Sequence, residues 1–360
     1  MRVTSWFKTY LLPGFVFQGV LIGGGYATGR ELVEFFLSDG ITNGVIGLMV
    51  ATGIFSLVLA ISFELARKTG SYDYRSFMQN LLGRAWILFE IPYLAILVLV
   101  LSVVASAAGL IVSERLAVPS FYGTGMLMLL IAALLFFSNA FIGRVFAAWS
   151  SLLYLAYALL FVLSFHILSG HFPSLFTGDT VLSDGLTAGA RYAGYNLAVI
   201  PAVLFALRHI SKRRQALTAG LLAGPLAMLP GFLFFILLSA QYPGVLTQAV
   251  PLTSLLGALD MKWFEISMEI VIFGTFLETG AGLVHAFNER VASTVQDHGK
   301  TMPGWGRSMI AIGLLLLSVV VASQFNLIDL IAQGYGMITY AILAVFVLPV
   351  LTIGLYRTFK

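Results

Sequence analysis

The chain has 360 residues, 59% of them hydrophobic and 10% charged, with a formal net charge of +4 and no cysteine. A soluble domain carries roughly 25% charge and roughly 45–50% apolar residues. The polar residues here are too few to cover a core of this size, and the mean hydropathy of +0.96 marks a polytopic membrane protein. The apolar runs are continuous rather than alternating, so the class is all-α and not a β-barrel. Without cysteine there are no disulfide frameworks, thiolate metal sites or cysteine nucleophiles.

A helix crossing a bilayer needs roughly 20 mostly apolar residues. The apolar runs predict ten spans, at 10–37, 42–66, 85–113, 123–140, 145–168, 186–207, 215–239, 261–289, 308–323 and 327–356. The third, eighth and tenth are long enough to be tilted. Arg2 and Lys8 precede an apolar stretch as they would in a signal peptide. No A-x-A-like cleavage site follows, and the run continues into Gly23-Gly24-Gly25, so it reads as the first span.

Lys and Arg favour the cytoplasmic side of a membrane. With the N-terminus inside, the cytoplasmic segments collect Arg2, Lys8, Arg67, Lys68, Arg75, Arg84, Arg144, Arg208, Lys212, Arg213, Arg214, Arg290, Lys300, Arg307, Arg357 and Lys360. Arg115, Arg191 and Lys262 fall outside, and Arg30 lies within a span. The expectation is a multi-pass cell-membrane protein with both termini cytoplasmic. The basic run Arg208–Arg214 is then an anchor at the lipid headgroups rather than a nucleic-acid patch.

Residues 1–175 and 176–360 each hold five predicted spans. Five is odd, so the second half starts from the opposite face, and a shared fold would make the halves inverted repeats. The first span of each half carries an interruption. Span one has three consecutive glycines at 23–25, each costing a helix roughly 1 kcal/mol relative to alanine. Span six has Gly194 and Pro201 bracketing Tyr195 and Asn196. Matched interruptions point to a midplane binding site, although Gly and Pro also serve close helix packing in membranes.

Ile22-Gly23-Gly24-Gly25-Tyr26 resembles the I-G-x-G-I signature in the first helix of the amino acid–polyamine–organocation (APC) transporter superfamily. The longer string from Gly23 to Phe36, GGGYATGRELVEFF, resembles the YkvI-type branch. The resemblance implies a LeuT-type fold of two inverted five-helix repeats, and alternating access by spans one, two, six and seven moving against the rest.

Backbone N–H groups freed at Gly23, Gly24 and Gly25 suit a substrate carboxylate. Carbonyls near Gly194, Tyr195 and Asn196 suit an ammonium group. Gln18, Tyr26 and Thr28 in span one, and Ser102 and Ser106 on one face of span three, are further substrate contacts; the serines serve equally well as packing glue. In span eight, Glu265 and Glu269 lie near the outer end. Glu278 is deeper, where a carboxylate is costly unless paired, solvated or protonated. Thr275-Phe276-Leu277-Glu278-Thr279 resembles the helix-eight pattern that holds sodium in LeuT-type proteins, with matching carbonyls from Gly19 and Ile22. Oxygen ligands suit a hard cation. Glu278 stands where a hydroxyl is usual, so it either ligates sodium, carries a coupling proton, meets a substrate amine or forms a structural pair. Arg30 and Glu31 follow the break and resemble a gating position, with Asp329 as the partner of Arg30; otherwise Arg30 forms a fixed structural pair or pairs locally with Glu34 at i+4. Tyr335 either lines the pathway or marks flexibility in span ten. His285 and Glu289 share a face near the inner end, as ordinary contacts.

The expectation from these residues is a secondary transporter for an amino acid or related small amine-bearing metabolite. Sodium or a proton is the coupling ion, and no organic cofactor is expected. A G-x-x-x-x-G-K-(Ser/Thr) nucleotide loop is absent from the sequence. An intramembrane enzyme on a lipid-linked substrate, using Glu278, Glu269 and His285, and a channel are the alternatives. The partners expected are a small-molecule solute and the lipid bilayer, not nucleic acid.

Overall fold

The computed structural model describes residues 2–134, 139–169, 181–297, 299 and 301–360, and every regular element among them is helical. Among the described residues, six helices are long and apolar enough to cross a membrane: Ile41–Thr69, Tyr74–Leu116, Arg213–Ser239, Lys262–Gln296, Gly304–Gln324 and Leu327–Phe359. They coincide with predicted spans two, three, seven, eight, nine and ten. Predicted span five is covered by the helix Asn139–Ser169. Residues 135–138 of span four, and the predicted boundary near 175, lie outside the described residues, and nothing is described of the Arg144 side chain.

Predicted spans one and six are not single long helices, because both are divided. Span one splits into Leu12–Leu21 and Gly24–Thr28. Span six runs as an α-helix over Leu182–Asn196 and then tightens into 3-10 turns over Leu197–Ala202 and Leu204–Leu207.

Helix 41–69 ends where Gly70 takes the left-handed conformation at φ 65°, after Arg67 and Lys68, whose charges suit the negative end of the helix. It packs along both 182–196 and 213–239, and 213–239 in turn packs along 12–21. These contacts form a seam of small residues. A Cβ at Gly185 would sit 2.8 Å from the Asn43 carbonyl oxygen, and one at Gly220 or Gly189 would meet the backbone of Ala60 or Gly47. Glycine lets backbones approach this closely without any hydrophobic drive from water. A second group forms around helix 90–116, which packs on Phe121–Leu134, Gly304–Gln324 and helix 262–297. The short helix 24–28 lies against 90–116 and 262–297.

Candidate functional site

The first helix stops at Ile22 (φ −75°, ψ 74°), and the chain passes through extended Gly23 before the helix restarts. At this break the helical ladder lapses between the Ile22 N–H bond to Gln18 and the Ala27 N–H bond to Gly23, and the Gly19 and Ile22 carbonyls are among those that lose their helical donors. The Gly23 N–H turns to the Leu21 carbonyl at 2.8 Å instead of Gly19. The Tyr26 N–H goes to the Glu31 carboxylate instead of Ile22.

A second turn follows at Gly29, with φ 83°, a conformation glycine adopts without strain. Phe234 fills the space beside it, 2.9 Å from where a Cβ would stand. The turn folds Glu31 back onto its own preceding helix, so that its Cγ and Cδ would lie 2.6 and 2.8 Å from a Cβ on Gly25. Besides the Tyr26 N–H, the Glu31 carboxylate accepts the Tyr195 hydroxyl at 2.6 Å. It therefore bridges the two divided spans. Glu31 is 4% exposed, and among the described residues no basic side chain forms an ion pair with it. Its neighbour Arg30 turns away, donating to the Leu246 and Gln248 carbonyls at 2.8 and 3.0 Å and to Glu34 at 2.6 Å.

The predicted substrate residues gather around this break with varied roles. The open face of Gly25 is taken by Glu31, and that of Gly23 by the Thr279 side chain at 3.4 Å; Gly24 starts the restarted helix. Gln18 and Tyr26 are buried, and the Gln18 Oε1 and Tyr26 hydroxyl lack hydrogen-bond partners. Thr28 and Ser102 satisfy themselves internally, donating to the Gly25 and Val98 carbonyls at 2.9 and 2.8 Å. Ser106, one turn on, is half-buried.

In span six, Gly194 packs on Thr339 and Leu343 of the last span, and the Asn196 amide donates to the Tyr192 carbonyl at 2.9 Å. The interruption here is a tightening around Pro201 rather than an unwound stretch. Tyr335 is buried in a π-helical segment and stacks on Tyr195 with ring centroids 4.5 Å apart and planes 18° apart.

On helix 262–297, Thr275 is buried and donates to the Val271 carbonyl at 2.9 Å, which leaves its lone pairs available. Glu278 is half-buried, within electrostatic range of Tyr154 on helix 139–169. Glu265 and Glu269 do not simply reach water: both pair with Arg115, at 2.8 and 2.6 Å. Glu289 pairs with Arg307 at 2.6 Å, and His285 is half-buried. Asp329 accepts from the Asn326 side-chain amide at 2.7 Å, its backbone N–H is capped by Asn326 at 2.8 Å, and Gln333 reaches it at 3.4 Å. In this conformation Arg30 thus takes the local Glu34 partner, and Asp329 stays with its own helix start.

Sequence reasoning placed Glu31 only beside a gate and did not single out Tyr192 or Tyr157. The available signal was the rule that an ionisable residue inside a span is functional by default.

The chain is a bundle of apolar helices in which the break at Gly23 lies beside helices 182–196 and 262–297, and solved structures with the LeuT-type fold carry the same architecture. A manganese transporter of Eremococcus coleocola, solved in a mutant form, superposes with a TM-score of 0.62 at 13% identity, over 96% of this chain and 78% of that one. MhsT in complex with L-phenylalanine superposes with a TM-score of 0.55 at 16% identity, over 96% of both chains. By sequence the chain is similar to the protein named Uncharacterized membrane protein YkvI of Bacillus subtilis (strain 168), at 25% identity over 346 residues and 92% of each chain. No family model matches the chain. The resemblance carried by Gly23–Phe36 is borne out on both counts, the YkvI likeness and the LeuT-type fold.

Proposed function

We propose that the chain is an ion-coupled secondary active transporter of an amino acid or related small amine-bearing metabolite, working by alternating access. On this reading it sits in the cell membrane with ten spans in two inverted repeats, 1–175 and 176–360, and both termini cytoplasmic. The observation that carries the reading is the first break. Within a LeuT-type fold, the Gly19 and Ile22 carbonyls are released from their helical donors where the Thr279 side chain meets Gly23. With Thr275 and Glu278 on the same helix, these oxygens form the proposed ion site. Released carbonyls and hydroxyls suit sodium, a hard cation; Glu278 equally suits a coupling proton.

One structural neighbour is a manganese transporter, and another was crystallised with L-phenylalanine. The amine-bearing solute rests on the resemblance carried by Ile22–Tyr26; among the described residues no group of three His, Asp or Glu side chains is fit to hold a metal ion. The test is uptake by purified protein in liposomes under sodium or proton gradients, with an amino-acid and amine panel. Accumulation that follows one gradient, together with saturable counterflow, supports the proposal. Neither accumulation nor counterflow for any solute would overturn it.

A further inference from the structure

We propose that the Glu31 carboxylate, with Tyr195, Tyr192 and Tyr26 around it, binds the ammonium group of the transported solute, and that the solute class is organic amines without a carboxylate beside that amine. This rests on the transport reading above and narrows its substrate class.

Glu31 already occupies the place at the first break where a substrate carboxylate would dock. It lies against Gly25 and accepts the Tyr26 N–H. A second carboxylate brought there would meet a like charge in a buried site, where such repulsion is strong. A carboxylate has about four lone-pair sites, and the Tyr26 N–H and Tyr195 hydroxyl use two of them. Among the described residues it has no cationic partner in a site 4% exposed. Such a charge calls for a positive ligand.

Two further observations say which positive ligand. Tyr26 and Tyr192 are both fully buried, both lie within electrostatic range of Glu31, and neither hydroxyl has a hydrogen-bond partner. A proton on Glu31 would give the acid a single O–H donor, enough for at most one of the two hydroxyls. An ammonium group carries three donors, enough for the carboxylate and both hydroxyl oxygens. The surroundings are also aromatic. Phe35, whose ring already carries the Arg191 guanidinium at 5.6 Å, stands 5.5 Å from Tyr195 and 5.7 Å from Tyr192 between ring centroids, and Tyr195 stacks on Tyr335. Ring faces attract organic cations.

The experiment is thermal unfolding of the purified full-length protein with matched probe pairs: phenylalanine and phenethylamine, leucine and isopentylamine, ornithine and putrescine. At least one amine should stabilise the wild type and bind at least about 10-fold more tightly than its parent amino acid, the equivalent of one charged hydrogen bond. Glu31→Gln keeps the side-chain volume and an acceptor for Tyr195, and should abolish that stabilisation. Tyr192→Phe removes only an unpartnered hydroxyl, so it should fold as the wild type does and weaken the amine about 3- to 10-fold. Parent amino acids binding as tightly as their amines, amine binding untouched by either variant, or no amine binding at all would each overturn the proposal. Counterflow separates this failure from that of the transport reading. Amine binding that needs Glu31 without flux removes transport and keeps the site. Amino-acid flux indifferent to Glu31→Gln keeps transport and removes the site.

Discussion

The Tyr157 hydroxyl donates to the Ala27 carbonyl at 2.9 Å, a buried bond that ties helix 139–169 to the short helix just past the first break. Tyr157→Phe removes the bond and little volume. Its expected cost is about 1 kcal/mol, read as a lowered unfolding temperature. Hydrogen exchange should rise across residues 24–31 and stay unchanged in helix 213–239. Exchange that rises equally everywhere would mean that the bond serves global stability rather than holding this segment.

Two glycines on either side of the break make a contrasting pair. A Cβ added at Gly19 would meet nothing within 4 Å, whereas at Gly25 the Glu31 side chain fills that space. Gly19→Ala should therefore be neutral or stabilising by up to about 1 kcal/mol, the helix-propensity difference. Gly25→Ala should push Glu31 off Tyr195 and cost about 1–3 kcal/mol, typical of overpacking. Comparing the two unfolding temperatures checks this, and Gly25→Ala should also reproduce the ligand-binding defect of Glu31→Gln.

Glu278→Gln should abolish gradient-driven accumulation while leaving the protein folded and monodisperse. In liposomes, exchange of solute at equal concentrations on both sides should survive, because only the coupling charge is removed. Accumulation at the wild-type level would take Glu278 out of the coupling step.

Arg30 holds the 246–248 backbone through two carbonyls and also pairs with Glu34. Arg30→Gln should cost about 2 kcal/mol, as expected for hydrogen bonds to a charged group, and open residues 240–250 to proteolysis. Asp329→Asn should stay within about 0.5 kcal/mol of wild type in stability. If the two residues also close a gate during the cycle, transport by the double variant will depart from the product of the single effects. Additivity in transport rates would mean that no such pair forms.

The first break was legible in the sequence because three adjacent glycines weaken any helix, and the first helix stops at Ile22, just before them. The fold-back of Glu31 was not legible. It depends on the left-handed turn at Gly29, and a glycine within a membrane helix serves packing as often as turning. A continuous helix through this stretch would point Glu31 away from Gly25; only the second turn reverses that direction. The span-six interruption was legible as a position, from Gly194 and Pro201, but its form was not. The chain there tightens into 3-10 turns instead of unwinding, and it keeps Asn196 bonded to its own helix. Glu265 and Glu269 reach an arginine from a distant part of the chain, a pairing that no local pattern announces.

The glycine seam joining helix 41–69 to helices 182–196 and 213–239 has a mechanical consequence. A shift along such a seam would bring larger side chains against the facing backbone, so a rearrangement that opens the first break is expected to carry these helices as one block. The chain contains no cysteine, so paired thiols can be introduced one pair at a time with no background reaction. A disulfide across the seam should be silent in transport. One placed between helix 41–69 and the group around helix 90–116 should arrest it, which would locate the hinge line from outside the site itself.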